Sequence, residues 1–208
     1  MFEDGFHEEI ESAALATGYG PILRTSARES FSLRQQIFEQ VRASGRVARA
    51  TIARSLDVSP GSVTALTAEL IADGFLREVE GAARETSRGR PPVALEVVPE
   101  ALRVVGVKLS DETHTAVLTD LAGNLLASAA LGSNTDKKTA EDLLKDTENL
   151  VTQLCTAAEI PMDTISAIGV GIAGIVDFES GMVAWSPLLQ NADVPLGQIF
   201  ADHFETPV

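Results

Sequence analysis

Apolar residues begin to recur at helical spacing from Ser32 onward. Leu33, Ile37, Phe38 and Val41 share one face of a helix that Ser32 can cap and Gly45 can stop. Ile52, Ala53 and Leu56 share a face of a shorter helix over 48–56. Asp57-Val58-Ser59 then forms a tight turn, with Ser59 as the next N-cap and Pro60 at a position where its missing N–H costs nothing. Val63, Leu66, Leu70 and Ile71 line the third helix, which ends at Asp73-Gly74. Residues 75–79 and 93–97 read as strands on either side of a polar loop over 80–92. Three helices and a hairpin over 32–98 are the elements of an α+β winged helix-turn-helix. Residues 1–31 show weak periodicity, broken by Gly18, Gly20 and Pro21, and read as an acidic arm.

Beyond this the pattern changes, so a second domain is expected over 99–208. Apolar runs at 104–109, 115–121 and 125–131 predict three strands, with Ala122-Gly123-Asn124 as a hairpin turn. An amphipathic helix over about 138–158 carries Leu143, Thr147, Leu150, Val151, Leu154 and Ala158 on one stripe. Strands at 165–172 and 182–185 and a helix at 196–204 follow, an order that implies a mixed sheet with helices against it.

Composition limits the chemistry. The chain has 208 residues and a formal charge of -14, an average that would repel nucleic acid or an anionic membrane. The charge is segregated, however. Residues 1–30 hold 2 basic and 6 acidic side chains, residues 31–98 hold 9 and 8, and residues 99–208 hold 5 and 16. The nearly neutral, arginine-rich middle is the plausible anion-binding part. A single cysteine, Cys155, excludes an internal disulfide framework and is compatible with the cytoplasm. His7, His114 and His203 share no metal-ligand spacing and read as ordinary surface or satisfied residues. No apolar run of about 18 residues predicts a membrane helix, and the acidic start lacks the apolar core of a signal peptide.

The middle segment carries a candidate chemistry. A short helix, a sharp turn and a second helix leave the first turn of the latter projecting, with Gly61, Ser62, Thr64 and Ala65 available to base edges. Such small groups touch thymine methyls and amino groups but discriminate less than a bidentate arginine. Arg46, Arg49 and Arg54 surround the preceding helix and are candidates for phosphate contact. In the wing, Arg88-Gly89-Arg90-Pro91 resembles the core of AT-hook peptides, whose two arginines can lie along a narrow A·T-rich minor groove. A solvated hinge between the domains is the alternative for this segment, and protein contact alone is the alternative for the winged domain.

Gly169-Val170-Gly171-Ile172-Ala173-Gly174 matches a dinucleotide-binding fingerprint, but Ile175–Gly181 reads as strand end and turn rather than as the helix that pyrophosphate requires. The same stretch, running from Ile168 to Asp177 with Gly181-Met182-Val183, follows a winged helix that ends in Gly-Arg-Pro. Together with Asp193-Val194-Pro195-Leu196 and Thr206-Pro207-Val208, it resembles the ROK family of repressors, open reading frames and sugar kinases. The resemblance covers about 32–208 and implies an α/β ribonuclease-H-like fold of the actin and sugar-kinase type. It also implies a regulator of carbohydrate genes answering to a sugar, a sugar phosphate or a protein partner, on a two-fold DNA site as a homodimer.

The departures from the family pattern matter equally. The kinase phosphate loop, Asp-x-Gly-Gly-Thr, falls on Lys108, Ser110, Asp111 and Glu112, so glycines are replaced by side chains, two of them acidic. The sugar-binding asparagine falls on Leu188, and the chain stops at Val208 before the family's catalytic Asn-Asp, its zinc motif and its second lobe. A half-domain truncated after the first lobe is therefore expected, with no catalytic residues, metal or cofactor. The rival readings are a degenerate sugar kinase and a protein-interaction module. If a second lobe is missing, Trp185, Leu188 and Leu189 are expected to be left bare.

Overall fold

A computed structural model of the chain describes residues 32–80, 93–134, 136–177, 179–204 and 206–207. The expected arm and the wing segment Arg88-Gly89-Arg90 lie outside the described residues. The chain divides into two compact units between Ala101 and Leu102.

In the first unit, α1 (Leu33–Ser44) starts in a capping box. Ser32 Oγ accepts from the Gln35 amide, and the Gln35 side chain accepts from the Ser32 amide at 3.0 Å. Gly45, at φ 68°, ends the helix. α2 (Arg49–Leu56) and α3 (Pro60–Ala72) follow. The three helices bury Ile37, Val41, Ile52, Val63 and Leu70 against Leu76, Leu95 and Val97 of the antiparallel strands β1 (Leu76–Glu80) and β2 (Val93–Val97). Val47 adds one bridge to Leu95, widening the ribbon at its base. Leu33, Phe38, Leu66 and Ile71, expected in this core, are half-buried. The fully buried position on α3 that the apolar pattern passes over is Thr67.

The second unit is built on β3 (Arg103–Leu109), β4 (Thr113–Asp120), β5 (Leu125–Gly132) and β6 (Ala167–Ile172), arranged in the order β5-β4-β3-β6. β3 pairs antiparallel with β4 but parallel with β6, so the sheet is mixed. The parallel pairing needs a crossover, which α4 (Ala140–Ala157) supplies. Alternation along β3 turns Val105, Val107 and Leu109 inward, where they share a core with Leu118, Leu143, Leu150, Val151 and Leu154. Thr147 sits in that core because its hydroxyl donates to the Leu143 carbonyl at 2.8 Å. The β4–β5 turn is held by Asp120, whose carboxylate accepts from both the backbone and the side-chain amide of Asn124.

A short strand, β7 (Ile175–Asp177), not resolved by the apolar pattern, pairs antiparallel with β8 (Met182–Trp185). Helix α5 (Leu196–His203) follows and buries Leu196 and Phe200. Trp185 is 53% exposed, whereas Leu188 and Leu189 are buried, contrary to the expectation that all three would be bare. The backbone explains the difference. Leu188 donates its amide to Ser186 Oγ, and its carbonyl accepts from the Lys138 amide at 2.7 Å, folding the segment into the core.

Candidate nucleic-acid interface

The turn between α2 and α3 is set by Asp57 in the left-handed region at φ 52°, a conformation that Asp tolerates better than most residues. Val58 then donates to the Ala53 carbonyl, and Ser59 Oγ accepts from the Ser62 amide at 3.0 Å. α3 thus begins abruptly, with its first turn outward. Gly61, Thr64 and Ala65 are exposed and Ser62 is half-buried. The Thr64 hydroxyl donates to the Pro60 carbonyl at 2.8 Å, so what this side chain offers outward is an acceptor oxygen and a methyl group.

The arginines of this unit are mostly engaged. Arg46 and Arg77 both hold Glu96, at 2.6 and 2.7 Å, and their hydrogen bonds, that of Arg77 foremost, hold its carboxyl below the usual carboxylate range. Arg34 pairs with Asp73 and Arg42 with Glu39. Arg49, expected at phosphate, instead donates from Nε to Thr67 Oγ1 at 2.8 Å and pairs through Nη1 with Glu78 at 2.8 Å. Arg54 is exposed and, among the described residues, bonds within its own helix, to the Ala50 carbonyl and to Thr51. The structure therefore sorts three sequence candidates into two paired side chains and one that faces solvent. Sequence reasoning missed Glu78 and Glu96, whose pairing depends on strand register, and Thr67, whose spacing of four residues from Val63 was the available signal.

In the second unit the positions matching the kinase phosphate loop form no anion cradle. The Ser110 amide donates to Nδ1 of the fully buried His114 at 3.0 Å, and Asp111 and Glu112 expose carboxylates beside it. His114 was expected to be ordinary or satisfied, yet its Nε2 is buried with no hydrogen bond and lies 3.4 Å from Asp146 Oδ2. Burial pushes its pKa below the ordinary value. The Asp146 carboxylate opposes that shift and the Lys138 ammonium adds to it.

The glycine-rich run also has a packing explanation. A Cβ on Gly174 (φ 147°) would lie 2.1 Å from the Trp185 carbonyl oxygen, so this glycine lets the β7–β8 hairpin close. No helix starts after it. Among the described residues no group of three His, Cys, Asp or Glu could hold a metal ion, and no helix is long and apolar enough to cross a membrane.

No protein-family model matches the chain. It is 29% identical over 166 residues to the xylose repressor of Caldicellulosiruptor bescii, covering 78% of this chain and 40% of that protein. It is 27% identical over 163 residues to the DNA-binding transcriptional dual regulator NagC of Escherichia coli K12, covering 77% and 39%. The chain thus spans about 40% of the length of the curated relatives it matches. Among solved structures, a ROK family transcriptional regulator homologous to E. coli Mlc superposes with a TM-score of 0.63 at 22% identity, over 84% of this chain and 43% of that one. Over that stretch the chain is similar in sequence to the xylose repressor and NagC and shares its fold with the ROK family transcriptional regulator.

Proposed function

We propose that the chain is a DNA-binding transcriptional regulator of carbohydrate genes. Residues 32–98 act as a winged helix-turn-helix, and residues 99–208 are the first lobe of a ribonuclease-H-like effector domain. The reading rests chiefly on the projecting first turn of α3, where Gly61, Thr64 and Ala65 are exposed behind a capped, sharply turned start. In the major groove, the Thr64 oxygen would accept from adenine or cytosine amino groups, and its methyl and Ala65 would meet thymine methyls. Arg54 is the phosphate-facing cation of α2. Arg88 and Arg90, which flank Gly89 in the sequence between β1 and β2, would occupy an adjacent A·T-rich minor groove. Arg49 belongs to this interface through its bond to Thr67 on α3.

Similarity to a xylose repressor supports a sugar or sugar phosphate as effector. The reading includes a homodimer working in the cytoplasm, because paired helix-turn-helix domains read two-fold sites. Phosphoryl transfer is not part of this reading, because the Ser110 amide is occupied by His114 and two acids stand where phosphate would approach.

The test is a titration of the 208-residue chain against an A·T-rich palindromic duplex and a scrambled duplex of equal composition. Tighter binding to the palindrome is expected, with loss of about two units of salt slope when Arg88 and Arg90 are both replaced by Ala. No retardation of either duplex at low salt would overturn the reading.

A further inference from the structure

We propose that Arg49 is a positioning residue that sets the angle at which α3 presents its reading turn, and that it is not a phosphate contact. This rests on the DNA-binding reading above. The guanidinium reaches three elements at once. It leaves from α2, donates through Nε to Thr67 on α3 at 2.8 Å, and pairs through Nη1 with Glu78 on β1 at 2.8 Å. Its side chain is only 25% exposed, and Thr67 is completely buried.

The bonding continues past Thr67. The Thr67 hydroxyl, while accepting from Arg49, donates to the Thr64 carbonyl at 3.2 Å, and the Thr64 hydroxyl donates to the Pro60 carbonyl. A connected chain therefore runs from the Glu78 carboxylate through Arg49 and Thr67 to the backbone of the reading turn. Arg49 donates to both Glu78 and Thr67, while the Thr67 hydroxyl accepts from the guanidinium and donates onward, so its two bonds strengthen one another. A planar guanidinium can serve a hydroxyl and a carboxylate from two separate nitrogens at fixed angles, which a lysine cannot do. Arg54, five residues further along α2, has no carboxylate partner among the described residues and is exposed, so the two arginines of this helix have different tasks.

Thr67→Val keeps the shape of the side chain and removes the hydroxyl; Thr67→Ser keeps the hydroxyl. With the palindromic and scrambled duplexes, T67V and R49Q should each lower the preference for the palindrome by about tenfold. Neither should change the salt slope, and T67S should retain most of the preference. A slope reduced by about 0.9 in R49Q, with T67V unaffected, would instead make Arg49 a direct phosphate contact and overturn the proposal. A second measurement is independent of DNA. In a double-mutant cycle of R49Q with T67V, followed by thermal unfolding of the first unit, the double variant should be no less stable than the worse single variant. Strict additivity would overturn the clamp even if the DNA reading holds. If wild-type protein binds neither duplex, the DNA reading fails, and the cycle still decides whether the clamp exists.

Discussion

Replacing Gly174 with alanine separates a packing role for the glycine-rich run from a phosphate-binding one. At φ 147° the new Cβ would sit 2.1 Å from the Trp185 carbonyl oxygen, 3.0 Å from the Ser186 Cα and 3.1 Å from the Trp185 carbonyl carbon. All three neighbours are backbone atoms, so no rotamer change relieves the overlap, and the β7–β8 hairpin must open by about 1 Å. The dihedral strain contributes about 1–3 kcal/mol and the forced backbone shift a similar amount, together about 4 kcal/mol. For a unit of this size the melting temperature should fall by about 15 °C.

Trp185, the only tryptophan of the chain, lies at the perturbed contact, so its fluorescence reports the transition directly. Gly171 and Gly169 provide the control. Their added Cβ atoms would meet nothing closer than 3.7 and 3.9 Å, and alanine there should change stability by less than about 1 kcal/mol. A G174A protein that melts within about 3 °C of wild type, or a G171A protein damaged as severely, would refute the reasoning.

Ser59→Ala removes the acceptor for the Ser62 amide and should destabilise the first unit by about 1 kcal/mol, while Ser59→Gly should cost less; thermal unfolding by circular dichroism reads both. The pKa of His114 is lowered by burial, so the unfolded chain takes up a proton near pH 6.5 that the folded chain still refuses. Stability is therefore complete above that pH and should decline as pH falls below it, by up to about 1.4 kcal/mol per pH unit. Urea unfolding of wild type and His114→Gln between pH 7.5 and 5.5 checks this, and the slope should flatten in the variant.

Much of the architecture was legible without coordinates, because amphipathic periodicity and capping residues are local. Ser32, Gly45, Ser59-Pro60 and Gly123 each mark a boundary that the structure keeps within a few residues. β7 escaped notice because three exposed residues carry no alternation, and their pairing with Met182–Trp185 is a non-local event. The bare surface expected at Leu188 and Leu189 failed for the same reason. Whether an apolar pair is covered depends on where Ser186 and Lys138 anchor the backbone, and Lys138 is some fifty residues away in sequence.

By itself the sequence determined the element order, the charge segregation and the capped start of α3, since each depends on the residue types themselves or on neighbours within a few positions. Only the tertiary structure decided which arginines remain available. Arg46, Arg49 and Arg54 look equivalent in the sequence. The fold brings Glu96 and Glu78 from distant strands onto two of them and leaves the third in water. It also buried His114 beside Asp146 and Lys138, giving an ordinary-looking histidine an unusual titration. Pairwise electrostatics and burial depend on through-space distance, and chain separation carries almost no information about that until the sheet register is set.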